Sequence, residues 1–154
     1  MNKTFDKIAL FIAQGGFSGR MPIAPGTAGT VVGVLLYLLV KDLSSLLYSA
    51  VFVTVTLIGT WAAGAADNVL GAMDSPTIVI DEIAGYLLAM FLIPFAWWAV
   101  IAGFVLFRFF DILKPWPVNK LQDIPGGPGV MLDDIGAGIY TNVILQITVA
   151  IRGS

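Results

Sequence analysis

The chain has 154 residues, 58% of them hydrophobic and 12% charged, with 8 Lys+Arg against 10 Asp+Glu, no His and no Cys. An ordinary soluble domain is about 45–50% apolar and about 25% charged, so a conventional water-soluble globule is excluded, and there is no basic surface on which to hold nucleic acid. Without Cys or His the chain has no thiolate, imidazole base, phosphohistidine, disulfide or Cys/His zinc site, which leaves carboxylates, amines, guanidinium, hydroxyls and a hard metal for any chemistry.

Residues 3–12 (KTFDKIALFI) place Phe5, Ile8, Ala9 and Ile12 at helical spacing beside Lys3 and Lys7, the pattern of an amphipathic helix at a membrane interface. The apolar stretch 8–13 is short and runs into Gly15-Gly16, so no cleavable leader is expected. Residues 24–30 (APGTAGT) then lead directly into an apolar run. Thr27 or Thr30 can cap a helix there, and glycines such as Gly29 allow a tight backbone whose free N–H groups face an anion, a candidate phosphate cradle. The segment lacks GxxxxGK[ST] and is no nucleotide P-loop; a plain helix start accounts for the same residues.

Four blocks, 31–40, 46–66, 83–107 and 135–151, contain no charged side chain and read as membrane helices. A span needs about 20 apolar residues to cross roughly 30 Å of hydrocarbon. The second block fits; the first reaches that length if its helix begins near Thr27, and the last if it begins at Asp133-Asp134. The third is either one long tilted span or two shorter helices broken at Pro94, whose ring removes a helix hydrogen bond. A single span puts Asp81 and Asp111 on opposite faces, about 36 Å apart along the helix. A hairpin instead gives five crossings and gathers residues 1–28, 67–82 and 108–134, with Lys3, Lys7, Arg20, Arg108, Lys114 and Lys120, on one face. Only Lys41 and Arg152 stay outside that group, so the positive-inside bias makes the gathered face cytoplasmic. The fold expected is a single all-α domain over 1–154, an integral membrane bundle of about five to six helices with its polar site at the cytoplasmic interface. Small residues such as Gly59, Ala62, Ala63, Gly64 and Ala66 would let helices approach closely in lipid.

Ionisable groups at membrane edges are costly and point to function. Three groups stand out: Asp81-Glu82 in IVIDEIAG, Arg108/Asp111/Lys114 in FRFFDILKPWP, and Asp133-Asp134 in GGPGVMLDDIGAG. Adjacent carboxylates repel unless a cation lies between them, and all-oxygen ligation with positions left for phosphate and water suits Mg²⁺. If the middle group is helical up to Lys114, its residues form one slanting stripe, an acid flanked by two cations that could hold phosphate oxygens. The plain alternatives are an intrahelical ion-pair ladder for the middle group and acids favoured in the first turn of a helix for the other two. Asp67 and Asp74 read as unassigned, Asp74 as a solvated turn. Trp97, Trp98 and Trp116 suit interfacial anchoring or simple packing, with Trp97-Trp98 and Trp116 at opposite faces of a hairpin.

Taken in order, GGFSGRMPIAPGTAGT, SPTIVIDEIAG, FRFFDILKPWP and GGPGVMLDDIGAG resemble the phosphatidylglycerophosphatase A family, from about Gly15 to Gly138. The resemblance implies a Mg²⁺-dependent phosphatase of the bacterial inner membrane that takes the terminal phosphate from the lipid phosphatidylglycerophosphate to give phosphatidylglycerol. Carried over by position, it falls on Thr27 and Thr30 in the glycine-rich segment and on Asp81, Glu82, Arg108, Asp111, Lys114, Asp133 and Asp134; Arg20 is a headgroup contact only. On this reading Asp81, Glu82, Asp133 and Asp134 supply most ligands to one or two Mg²⁺ ions, and Asp111 is ligand or base. Arg108 and Lys114, with the Thr27–Gly29–Thr30 cradle, bind phosphate, and metal-activated water attacks phosphorus.

Rival classes are weaker. An aspartyl-phosphate route lacks the DxDx[TV] signature, and a CDP-alcohol phosphotransferase lacks DGx₂ARx₈Gx₃Dx₃D. A small membrane cation transporter or channel subunit would place acids deep in spans, whereas these lie at the ends of blocks.

Overall fold

A computed structural model describes residues 3–72 and 75–153; Asp74 lies outside them. Six α-helices follow in order: α1 (Lys3–Ala13), α2 (Pro25–Val40), α3 (Ser45–Leu70), α4 (Ile80–Ala89), α5 (Trp97–Leu113) and α6 (Gly127–Arg152). Short 3₁₀ turns at Ser18–Arg20 and Val118–Asp123 precede α2 and α6, and no strand occurs among the described residues. The all-α expectation holds.

Both α3 and α6 have 26 residues and are long and apolar enough to cross a membrane. Large apolar side chains point outward all round the bundle, among them Leu39, Leu46, Leu57, Ile101 and Ile151. In water such a surface would aggregate, whereas in a bilayer it is the solvated side. The chain is a membrane protein. Helix α1 is amphipathic as expected: Ala9 and Ala13 are buried where it packs on α3, while Phe5, Ile8 and Phe11 stay exposed.

The third apolar block is a hairpin. Helix α4 stops at Ala89, residues 90–96 turn through Leu92 in a left-handed conformation (φ 58°) and Pro94, and α5 resumes at Trp97. At ten residues α4 rises about 15 Å, too short to cross alone, so the five full crossings expected are reduced by one short leg. Its inner end would strand carbonyls away from water, and polar side chains meet them. Asn142 donates to Ala89 O at 3.1 Å and to Phe91 O at 2.7 Å, Gln146 to Phe91 O at 3.3 Å, and Tyr48 to Leu87 O at 2.6 Å. Trp97 and Trp116, at the two ends of the α5 leg, are both exposed, and the Arg152 guanidinium lies 4.6 Å from the Trp98 ring centroid.

Two helix starts differ from expectation. Pro25 opens α2 at its first position, after Ala24 in a left-handed conformation, so Thr27 and Thr30 lie inside the helix instead of capping it. Proline is pre-organised for the first turn and needs no N–H there, which moves the start upstream. By the same logic Gly127-Pro128 opens α6, and Asp133-Asp134 sit in its second turn, not at its beginning.

Helix α4 packs between α2 and α6. Tyr86 sits at the centre of one core, edge-on to Tyr37 and Phe107, with Leu87, Met90 and Leu145 around it. A second core nearer the acids uses small residues, Ala62, Ala63 and Ala66 against Ile80, Ile83 and Met131. The closest backbone approach is between α4 and α6. A Cβ on Gly85 would lie 2.7 Å from Asp134 O, and one on Gly138 would lie 2.5 Å from Gly85 O. Only hydrogen fits at either position, and that contact sets the acids of the two helices side by side.

Candidate active site

At the end of the bundle where α2 and α4 begin and α5 ends, a cleft of about 380 Å³ is lined by Gly26, Asp81, Glu82, Arg108, Asp111 and Asp134, among others. The hairpin therefore brings the DE, RxxDxxK and DD groups together. Arg108 makes the join, its Nη1 lying 3.5 Å from Glu82 Oε1 on α4 and 2.5 Å from Asp111 Oδ2 one turn along α5.

Asp81, Glu82 and Asp134 each offer a carboxylate oxygen, and these oxygens all lie within 4.8 Å of one another. The three residues are buried, Asp134 to 2% exposure. One oxygen of each (Asp81 Oδ1, Glu82 Oε2 and Asp134 Oδ2) is enclosed with no hydrogen-bond partner among the described residues, as is Arg108 Nε. Asp134 also faces the carboxylates of Asp111 and Glu82. Unsatisfied buried carboxylates that crowd one another are costly unless a proton or a cation lies between them. Five acids here (Asp81, Glu82, Asp111, Asp133, Asp134) face two cations (Arg108, Lys114), so a hard divalent ion fits the donor chemistry.

Asp133 stands apart from that cluster. Lys114 ends α5 in a left-handed conformation (φ 42°), which turns its side chain off the Arg108–Asp111 stripe and onto Asp133 Oδ2. The expected stripe of an acid between two cations therefore holds only for Arg108 and Asp111. Asp133 is engaged as the partner of Lys114, and its Oδ1 accepts the Asp134 N–H at 3.0 Å. It orients the neighbouring ligand candidate instead of joining the three clustered oxygens.

Burial by itself would lower the Lys114 pKa, but Asp133, Asp134 and Asp111 outweigh it and hold the ammonium above its ordinary value. The raised folded-state pKa means the pair's stabilisation is fully present below the unfolded value of about 10.4 and lost as pH rises through the higher folded one. Comparing thermal unfolding of the wild type and Lys114→Met between pH 7 and pH 11 checks this: a constant gap up to about pH 10 that closes above it is expected. A gap that closes near neutrality would contradict a persistently charged Lys114.

The expected phosphate cradle sits one turn earlier than the sequence suggested. Thr30 is fully buried and its hydroxyl donates to Gly26 O at 2.9 Å, Gly29 packs on Val79, and neither these nor Thr27 line the cleft. Ala24, Pro25 and Gly26 do. A Cβ on Gly26 would strike Glu82 Oε1 and come within 2.9 Å of Arg108 Nη1, so glycine keeps this side of the cleft open. The first-turn N–H groups of α2 lie at that edge, where a helix N-terminus favours an anion.

Arg20 does not line the cleft. Its Nε donates to Gln14 Oε1 at 2.7 Å and its guanidinium lies over Phe17, while Gln14 Nε2 reaches Thr77 Oγ1 at 3.3 Å. With Ala13 O accepting from Val79 N–H at 2.8 Å, these bonds stitch the turn after α1 to the segment leading into Asp81. Sequence reasoning missed Gln14 and Gly26; a lone amide entering a Gly-Gly turn, and the first glycine of APGTAGT, were the available signals.

Residues 11–149 match the phosphatidylglycerophosphatase A family. The chain is similar to a Bacteroides thetaiotaomicron protein provisionally named phosphatidylinositol-3-phosphatase, 37% identical over 148 residues that cover 91% of this chain and 92% of the relative. It is similar to phosphatidylglycerophosphatase A of Escherichia coli, 37% identical over 136 residues with 87% and 79% covered. The Haemophilus influenzae phosphatidylglycerophosphatase A is 35% identical over 155 residues, with 94% and 93% covered. No solved structure matches the chain.

Proposed function

The chain belongs to the phosphatidylglycerophosphatase A family, and we propose that it hydrolyses the terminal phosphate of phosphatidylglycerophosphate, with Asp81, Glu82 and Asp134 holding Mg²⁺ in the cleft. The observation that carries this reading is the convergence of three buried, unsatisfied carboxylate oxygens beside Arg108 at a membrane end of the bundle. Acids gathered at helix ends also disfavour the transport alternative, which needs them along a path through the spans.

A phosphate monoester brings two negative charges and several oxygens, so catalysis is chiefly charge stabilisation and alignment. When bound, Mg²⁺ supplies positive charge to the phosphate and lowers the pKa of a coordinated water. Arg108 reaches phosphate through the guanidinium edge that Glu82 and Asp111 leave free, and Lys114 adds a second cation from the end of α5. The first-turn N–H groups at Gly26 and Thr27 meet a further oxygen. Asp111 keeps Oδ2 on Arg108 and takes the proton of the attacking water at Oδ1. As the new P–O bond forms and the ester P–O bond breaks, that proton passes to the departing glycerol oxygen, giving the lipid alcohol and inorganic phosphate. The lipid stays in its leaflet while its phosphate projects into the cleft. Lys3, Lys7, Arg20, Arg108, Lys114 and Lys120, gathered toward this end, place it on the cytoplasmic side of the inner membrane.

The test is phosphate release by purified protein from phosphatidylglycerophosphate, with phosphatidylinositol 3-phosphate beside it because of the similarly named relative. Release should require Mg²⁺, stop with EDTA, and favour phosphatidylglycerophosphate. Folded protein that releases nothing from either lipid would overturn the enzyme reading, and EDTA-resistant release would overturn the metal.

A further inference from the structure

At the opposite end of the bundle, where the α2–α3 connection meets the 90–96 break of the hairpin, a second cavity of about 260 Å³ is lined by Tyr37, Lys41, Leu43, Ser45, Tyr48 and residues 90–94. It lies about 22 Å along α2 from Gly26 and the acids, and it shares no residue with the first cleft. Tyr37 is 2% exposed, and its hydroxyl makes no hydrogen bond with any described residue. A buried phenol without a partner costs free energy unless something else completes it.

The other polar groups at this cavity are donors too. Lys41 Nζ stands over the Phe95 ring, 4.5 Å from its centroid, and 2.7 Å from Asp42, whose carboxylate is 83% exposed. So exposed a pair is weak, and the ammonium can exchange partners. Ser45 opens α3, where the Ser44 hydroxyl accepts only the Leu47 N–H and other first-turn N–H groups remain for an anion. The nearby carbonyls are already engaged: Met90 O accepts Ile93 N–H, Phe91 O accepts Asn142 and Gln146, and Leu87 O accepts Tyr48. A cavity rich in donors and poor in free acceptors selects an acceptor-rich anion. Its rim carries exposed Leu43, Leu92 and Phe95, as suits a ligand whose remainder is apolar.

We propose that this cavity binds the phosphodiester headgroup of an anionic phospholipid from the leaflet opposite the first cleft. Lys41 and the start of α3 hold the phosphate, and Tyr37 donates to a headgroup oxygen. The assignment does not depend on the phosphatase reading.

The full chain in a neutral maltoside detergent, titrated with dioctanoyl phosphatidylglycerol and followed by native mass spectrometry, tests it. Lys41→Ala should weaken one bound lipid about tenfold, as loss of a charge-assisted hydrogen bond does, and Tyr37→Phe, which keeps the ring, should weaken it several-fold. This Lys41-sensitive binding should persist in Asp134→Asn, and unfolding without lipid confirms that each variant is folded. Wild-type binding by both Lys41→Ala and Tyr37→Phe would overturn the site. Equal binding of dioctanoyl phosphatidylcholine would overturn the preference for an anionic lipid, and equal binding of glycerol 3-phosphate would make it a solute site instead.

Discussion

Asp134→Asn and Asp81→Asn are each expected to lower phosphate release about a thousandfold, a loss of roughly 4 kcal/mol of transition-state stabilisation. Their effect on stability should run the other way. Without metal, the enclosed oxygens of Asp81, Glu82 and Asp134 crowd one another with no partner, and an amide of the same shape removes one of the repelling charges. In EDTA both variants should therefore melt at or above the wild-type temperature. Added Mg²⁺ should raise the wild-type melting temperature, since a ligand bound only to the folded state stabilises it, and should move the variants little. Asp133→Asn separates the roles: it removes the partner of Lys114 instead of one of the three clustered oxygens, so it should destabilise while retaining much of the Mg²⁺ shift. A full Mg²⁺ shift in Asp134→Asn would remove that residue from the metal site.

The second large effect is on the α4–α6 contact. Gly85→Ala and Gly138→Ala each push a methyl group against backbone carbonyl oxygen, 2.7 Å from Asp134 O and 2.5 Å from Gly85 O respectively. Backbone cannot swing aside as a side-chain tip can, so the helices must part. A cost of about 3 kcal/mol is expected, at the upper end for overpacking, read by unfolding in mixed micelles. Parting the helices also separates Asp134 from Asp81 and Glu82, so protein that stays folded at low temperature should bind Mg²⁺ more weakly. Wild-type stability in both variants would mean the helices are not held this close.

How far the sequence foretold this depended on whether a feature is local. Charge-free blocks and the break at Pro94 were legible because lipid tolerates few charges and proline interrupts a helix wherever it stands. The acids were legible for the same reason. The starts of α2 and α6 were not: with Pro at an early position and glycines permitting several starts, threonine and aspartate looked like caps when Pro25 and Gly127-Pro128 already served. Lys114 looked like part of a helical stripe because its left-handed turn is imposed by the end of α5 against α6, a tertiary fact. The role of Gly26 likewise exists only once Glu82 and Arg108 arrive opposite it. Asn142 and Gln146 were visible as amides in an apolar block, but only the broken hairpin shows which carbonyls they serve.

Tethering the inner end of α4 to α6 through those amides has a consequence for depth. A helix that crosses a bilayer is located by both water interfaces and shifts or tilts as thickness changes. Helix α4 is located from inside, and its ten residues measure about 15 Å outward, half of a hydrocarbon layer of roughly 30 Å. It works as a ruler for one leaflet, setting Asp81 and Glu82 at the level where acyl chains give way to glycerol and phosphate, whatever the far leaflet does.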